Sequence, residues 1–167
     1  LVMMTAHRRE NLGAPMRRIF RAIRRVLVAH EDVKLIYPVH LNPAVRETAQ
    51  SELGDHPRIR LIDPLDVLTF NNFVARAYLV LTDSGGIQEA APALGKPVLV
   101  LRDTTERPEG IEAGTLRLAG TDEETVAREF TRLLEDKDAY EAMARAKNPY
   151  GDGYAARRIA DALEKTL

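Results

Sequence analysis

The sequence contains no cysteine. That absence excludes disulfides, a thiolate nucleophile and any cysteine-bound metal, and it fits a reducing cytoplasm, the expected location. No apolar run approaches the roughly 20 residues needed to span a bilayer, and no signal peptide is visible. Neither sign of charge is in excess: 24 basic and 25 acidic residues leave a net charge of -1. There is therefore no general pull toward nucleic acid or membrane, and neither is expected as a partner. A Walker lysine pattern is missing, and so is the spacing of a dinucleotide fingerprint, which argues against an ordinary NAD domain. No two histidines stand at ligand spacing on one helix, so no metal is expected.

What is present is a single-domain length of 167 residues, enough to bury one full core. The chain starts at Leu1, straight into an apolar run, which predicts a piece excised from something longer. Short continuous apolar runs alternate with helical stripes. The runs are Leu1 to Thr5, Val33 to Val39, Ile59 to Ile62, Tyr78 to Thr82, Pro97 to Leu101 and Gly114 to Leu118. Met16, Ile19, Phe20, Ile23, Val26 and Leu27 form a helical stripe behind Ala14-Pro15. Arg17, Arg18, Arg21, Arg24 and Arg25 fill the other positions; with no aromatic residues among them, they read as a solvated helix face. Helices are also expected up to Leu53, over Asp66 to Ala75, from Thr121 (with a Thr121 to Glu124 capping box), over Lys137 to Lys147, and over Tyr154 to Thr166. The last carries an apolar stripe of Ala155, Ile159, Ala162 and Leu163. This alternation predicts an α/β domain, a doubly wound parallel six-stranded sheet covered by helices on both faces.

The chain is organised around Ala77 to Arg107. A buried strand is followed by Asp83-Ser84-Gly85-Gly86, then by a helix expected to start near Ile87 and to stop at Gly95. Two adjacent glycines at a strand-to-helix junction let the backbone approach a ligand closely, and the helix N-terminus favours an anion there. One reading is a phosphate or diphosphate cradle. The other is that Asp83 or Ser84 merely caps the helix while the glycines turn the chain.

In a doubly wound sheet, ligands sit beyond the carboxyl ends of the strands, where strand order reverses. His7, Arg8, Arg9 and Glu10 belong to that edge, as do His40, Asn42 and Asp63 to Asp66. Ser84 to Gly86 and Arg102 to Glu109 complete it. Arginine suits bidentate contact with phosphate, and a histidine can stabilise a leaving diphosphate. Each has a plain alternative: His7 as a loop histidine, His40 as a helix cap, Phe70 as core, and Glu106, Arg107 and Glu109 as surface ion pairs. His30 and His56 sit in polar connections and carry no assigned role.

Five segments carry a family resemblance: Thr5-Ala6-His7-Arg8-Arg9-Glu10-Asn11, Tyr37 to Pro43, Thr82-Asp83-Ser84-Gly85-Gly86-Ile87-Gln88-Glu89, Arg102 to Glu109, and Asn148-Pro149-Tyr150-Gly151-Asp152-Gly153. Together, and in this order, they resemble the bacterial non-hydrolysing UDP-N-acetylglucosamine 2-epimerases. The resemblance implies a GT-B enzyme, with this chain (1–167) as its Rossmann-like C-terminal, UDP-binding domain and the N-terminal domain absent. It implies interconversion of UDP-N-acetylglucosamine and UDP-N-acetylmannosamine by elimination and re-addition of UDP, with neither nicotinamide nor metal, in a homodimeric parent. His7 is the implied catalytic residue. Leu65, Phe70, Ser84, Gly85, Gly86, Glu89 and Arg107 are the implied UDP contacts, with Phe70 against the uracil. Arg8 and His40 resemble contacts to a second, allosteric UDP-sugar. One position departs: the family has two adjacent glutamates after Ile87-Gln88, the second binding ribose, and here the pair is Glu89-Ala90. Neighbouring helical residues point about 100° apart, so Glu89 does not simply take over. Two other readings remain open: a UDP-sugar-binding module without turnover, and the UDP-binding half of a GT-B glycosyltransferase.

Overall fold

The structure, a computed structural model, describes residues 1–166. Six strands, β1 (Val2–Thr5), β2 (Leu35–Pro38), β3 (Ile59–Ile62), β4 (Leu79–Thr82), β5 (Val98–Val100) and β6 (Leu116–Leu118), form one sheet in the order β3-β2-β1-β4-β5-β6, and every neighbouring pair is parallel. The fold is thus the expected Rossmann-like α/β sheet of GT-B-like architecture. All the carboxyl ends lie on one edge. Strand order reverses between β1 and β4, which are paired from Val2↔Leu79 to Thr5↔Thr82.

The period-2 geometry of a strand sends alternate side chains to opposite faces, and two separate cores result. Val2 and Met4, Leu79 and Leu81, and Leu99 and Leu101 point to the first. They meet α1 (Ala14–Ala29), α2 (Pro43–Leu53) and α6 (Glu123–Glu135) through Phe20, Ile23, Val45 and Phe130, all fully buried. Met3, Val80, Val98 and Val100 point to the second, where α3 (Val67–Arg76) adds Val74 and α4 (Gly85–Ala93) adds Ala91. A strand buried on both faces has no polar positions to spare, which is why these segments read as unbroken apolar runs.

The arginines of α1 lie on its exposed side and pair with neighbouring helices. Arg17 and Arg21 reach Glu52, Arg24 reaches Asp55, and Arg25 reaches Glu124 at 2.5 Å. Such pairs contribute about 0–1 kcal/mol each, so α1 is held by its buried stripe.

Several local expectations need correction. The helix after β4 begins at Gly85, not Ile87, so the glycine pair sits inside its first turn. The expected capping box at Thr121 does not form. The cap of α6 is Asp122, which accepts from the Thr125 N–H at 2.9 Å, because the Thr121 hydroxyl donates instead to Asp103. A short helix, α5 (Pro108–Glu112), occupies what reads as loop. His56, in its polar connection, is buried, its Nδ1 accepting from the Arg58 N–H. His30 closes the end of α1 and pairs with Glu135. α7 (Lys137–Ala144) stops three residues early, and α8 (Ala155–Glu164) buries no residue against the other described residues, with Ile159 and Leu163 about 60% exposed.

The chain nevertheless returns to the sheet before α8. The Tyr150 hydroxyl donates to the Arg107 carbonyl at 3.4 Å, and Tyr150 packs against the second core. Gly110 in α5 makes room for it: a Cβ there would lie 2.4 Å from both the Tyr150 hydroxyl and Leu116 Cδ1. Leu116 is buried and cannot swing away. Gly110→Ala is therefore expected to cost roughly 1–3 kcal/mol by overpacking, read by chemical denaturation; an unchanged midpoint would mean that Tyr150 does not hold this contact.

Candidate functional site

The site is built at the reversal between β1 and β4. Thr5 and Thr82, the last residues of the two strands, join through their hydroxyls at 2.6 Å. The Thr82 hydroxyl also accepts from the Ser84 N–H at 3.0 Å, which fixes the entry into α4. Ser84 is the N-cap of that helix, yet its side chain makes no capping bond. The N–H groups of Gly85, Gly86 and Ile87 donate to nothing among the described residues. A spare hydroxyl and three spare amides thus stand at the positive end of a helix dipole.

The glycines are not needed to turn the chain. Neither Gly85 nor Gly86 has a positive φ. A Cβ on Gly86 would meet nothing within 4 Å. One on Gly85 would come no nearer than 3.6 Å to an Arg8 terminal nitrogen and 3.8 Å to one of Arg107, ordinary contacts. Packing therefore permits alanine at both places, although alanine would be the better helix former by about 1 kcal/mol. What the glycines preserve is empty space, at a helix N-terminus and beside two guanidinium groups.

Asp83 ties the two strand ends together. It is fully buried, and its Oδ2 accepts the backbone N–H of His7 and of Arg8, each at 2.8 Å, and the Asn11 side-chain amide at 3.1 Å. Asn11, also buried, reaches across to the Leu101 carbonyl after β5. The Arg8 Nε donates to the Asp83 carbonyl at 3.2 Å. Burial, and secondarily the charge of Asp83, pushes the Tyr37 hydroxyl pKa far up; that hydroxyl donates to the Ala6 carbonyl at 2.5 Å. His7 is half-buried above this clamp. Its Nδ1 lies 3.6 Å from Asp83 Oδ1, and its ring stacks on His40 with centroids 5.4 Å apart.

Two further arginines come from the segment after β5. Arg102 is buried and bridges Glu10, at 2.6 Å, and Glu106. Arg107 is partly exposed, and its Nε donates to Glu89 of α4. Its backbone N–H donates to the Thr105 hydroxyl, which donates to the buried Gln88. So His7, Arg8, Ser84, Gly85, Gly86, Glu89 and Arg107 converge. His40 joins through its stack, with Nδ1 accepting from Asn42 N–H; Asn42, not His40, caps α2. Leu65 and Phe70 lie farther along the edge, half-buried, with Phe70 leaning on the second core. Phe70 therefore packs and stays partly accessible at once. Asn11 and Tyr150 received no role of their own from the sequence, and Asp83 only that of a possible helix cap. The only signal for Asp83 was a carboxylate directly after the fully buried, largely apolar run of β4.

A larger open groove, about 890 Å³, lies beside α2, lined by Val39, Leu61 and Ile62 and carrying the Arg46–Asp63 pair. Among the described residues, no three His, Asp or Glu side chains group as a metal would need, and no helix is long and apolar enough to cross a membrane.

The family described as UDP-N-acetylglucosamine 2-epimerase matches residues 1–164. The UDP-N-acetylglucosamine 2-epimerase of Bacillus subtilis is 61% identical over 163 residues, 98% of this chain and 43% of that protein. Among solved structures, the UDP co-structure of S. aureus MnaA is 54% identical with a TM-score of 0.96, over 99% of this chain and 46% of its own. The UDP-GlcNAc 2-epimerase of Neisseria meningitidis, bound to UDP-GlcNAc, is 44% identical with a TM-score of 0.93, over 98% and 44%. The chain spans less than half the length of these relatives.

Ionisation of Glu106 is tied to Arg102. The guanidinium hydrogen bond holds its carboxyl at about 2, below the ordinary 4.5. A carboxylate depressed on folding stabilises the fold above its unfolded value, and the effect is lost as pH falls through the folded one. The stability gap between wild type and Glu106→Gln should thus be full above about pH 4.5 and vanish toward pH 2. Denaturant midpoints across that range measure it, and a gap independent of pH would rule the pair out as its source.

Proposed function

This chain belongs to the UDP-N-acetylglucosamine 2-epimerase family, and on that premise we propose that it is the C-terminal, UDP-holding domain of a two-domain GT-B enzyme. The parent interconverts UDP-N-acetylglucosamine and UDP-N-acetylmannosamine as a cytoplasmic homodimer. The observation that carries the reading is the unforced emptiness at Gly85 and Gly86. Two glycines that the fold could replace by alanine are kept where three amides, a hydroxyl and two guanidiniums stand around open space. A diphosphate fits that chemistry: the amides and Ser84 take the oxygens, while Arg8, Arg107 and His7 offset the charge. The S. aureus and N. meningitidis relatives, bound to UDP and UDP-GlcNAc respectively, support the same ligand here.

In this reading UDP departs in an anti elimination and returns to the other face of the glycal. The role of this domain is to stabilise the negative charge that develops on the leaving diphosphate, by dipoles already in place. His7 stands at that charge and serves as the catalytic residue of this half. Leu65 and Phe70 flank the base, with Phe70 offering its accessible face to the uracil. Arg107 must leave Glu89, or share it, to reach the phosphate; Glu89 thereby holds the arginine in place while the site is empty. The ribose side is less well served, since Ala90 is exposed and brings no acceptor.

A narrower second reading has its own support. Glu10 and Glu106 are engaged with Arg102, and Glu89 with Arg107. Proton transfer at the sugar then falls to carboxylates of the other domain, and the isolated chain binds UDP without turning substrate over. Epimerase assays on this chain alone should show no conversion; measurable turnover would refute that division of labour.

Gly86→Ala separates site from fold. Its stability should stay level or rise by up to about 1 kcal/mol, while calorimetry with UDP shows affinity reduced at least about tenfold. His7→Ala and Arg107→Ala should each weaken UDP by about 10- to 100-fold, the worth of a charged hydrogen bond. Unchanged UDP affinity in all three variants would remove the diphosphate from this place.

A further inference from the structure

We propose that Asp83 is a positioning residue for His7: its buried carboxylate keeps the proton on Nδ1, so that Nε2 is the nitrogen left for the ligand. The geometry gives Asp83 two unequal oxygens. Oδ2 is saturated by His7 N–H, Arg8 N–H and the Asn11 amide. Oδ1 is buried and has no hydrogen-bond partner among the described residues. A buried anionic oxygen left bare costs free energy, and the ion-pairing group nearest it is the His7 Nδ1, at 3.6 Å. That distance is one small closing movement from a hydrogen bond, and such contacts are often long before ligand binds.

The ring has few ways to respond. The Oδ2 bonds hold the His7 and Arg8 backbone, fixing where the side chain starts. The stack on His40, 15° from parallel, fixes the plane, and His40 is itself fixed through Nδ1 by the Asn42 N–H. With start and plane set, Nδ1 faces the carboxylate. Were Nδ1 bare, two lone pairs would confront each other in a buried place, so the proton belongs there whether the ring is neutral or charged. Nε2, across the ring, makes no hydrogen bond to the described residues.

The tautomer is a property of the chain alone; its value for binding rests on the UDP reading above. The test is a long-range proton–nitrogen NMR spectrum of the chain with labelled histidine, taken at alkaline pH where imidazoles are neutral. There are four histidines, and His7→Gln identifies the relevant signal. Wild-type His7 should carry its proton on Nδ1; a bare Nδ1 overturns the proposal. In Asp83→Asn the side-chain oxygen keeps the backbone bonds while the amide nitrogen donates toward Nδ1. The proton should then move to Nε2, with UDP affinity falling about tenfold. A folded Asp83→Asn protein with an unmoved tautomer also overturns it, and if that variant does not fold, the wild-type spectrum decides alone. Wild type that keeps the Nδ1 proton but gives no heat with UDP would support the positioning role while sinking the UDP reading.

Discussion

One buried carboxylate joins the halves of this site. Asp83 directly follows β4, and its Oδ2 receives hydrogen bonds from the segment that follows β1, 72 to 76 residues away in sequence. Without it, the carboxyl ends of β1 and β4 would be paired strands with unrelated loops. With it, His7 and Arg8 are set against the first turn of α4. Hydrogen bonds to a charged group contribute more than neutral ones, about 1.5–3 kcal/mol, and they are directional. The clamp is stiff where the sheet alone would leave the loops free.

A second constraint is that the clamp places a negative group next to a proposed anion site. That works only because the charge is consumed locally. Oδ2 is taken by donors, and Arg8 lies across the Asp83 carbonyl, donating to it through Nε. The carboxylates at the periphery are similarly occupied, Glu10 and Glu106 by Arg102, and Glu89 by Arg107. The edge therefore carries many acids, yet apart from Asp83 Oδ1 the spare groups at the mouth of α4 are donors.

Much of the architecture was legible because a parallel sheet buried on both faces leaves no freedom in its strands. Leu79–Thr82, buried at every position, falls where its apolar run places it, and the stripe of α1 is buried residue for residue. The failures are local and each has a cause. A Gly-Gly pair reads as a turn, but helical φ angles are open to glycine too, at about 1 kcal/mol against alanine. Thr121 and Glu124 have capping-box spacing, but Asp103 claims the threonine hydroxyl first. α5 is only five residues long, too short to show a period. At the site, the positions of Ser84 to Gly86, His7 and Arg107 followed from the fold class alone. The Asp83 clamp did not, since nothing in a strand-end aspartate says which distant amides it will meet.

The unpacked α8 has a bearing on how the domain melts. A helix of ten residues with no buried face has only its own backbone to hold it, and isolated helices of that length are marginal in water. Its amides should lose protection at the level of a free peptide, while those of the sheet open only with the whole. The cooperative unit closes at Tyr150, where the chain last touches the core, and heat capacity or denaturant slopes will report on that shorter body.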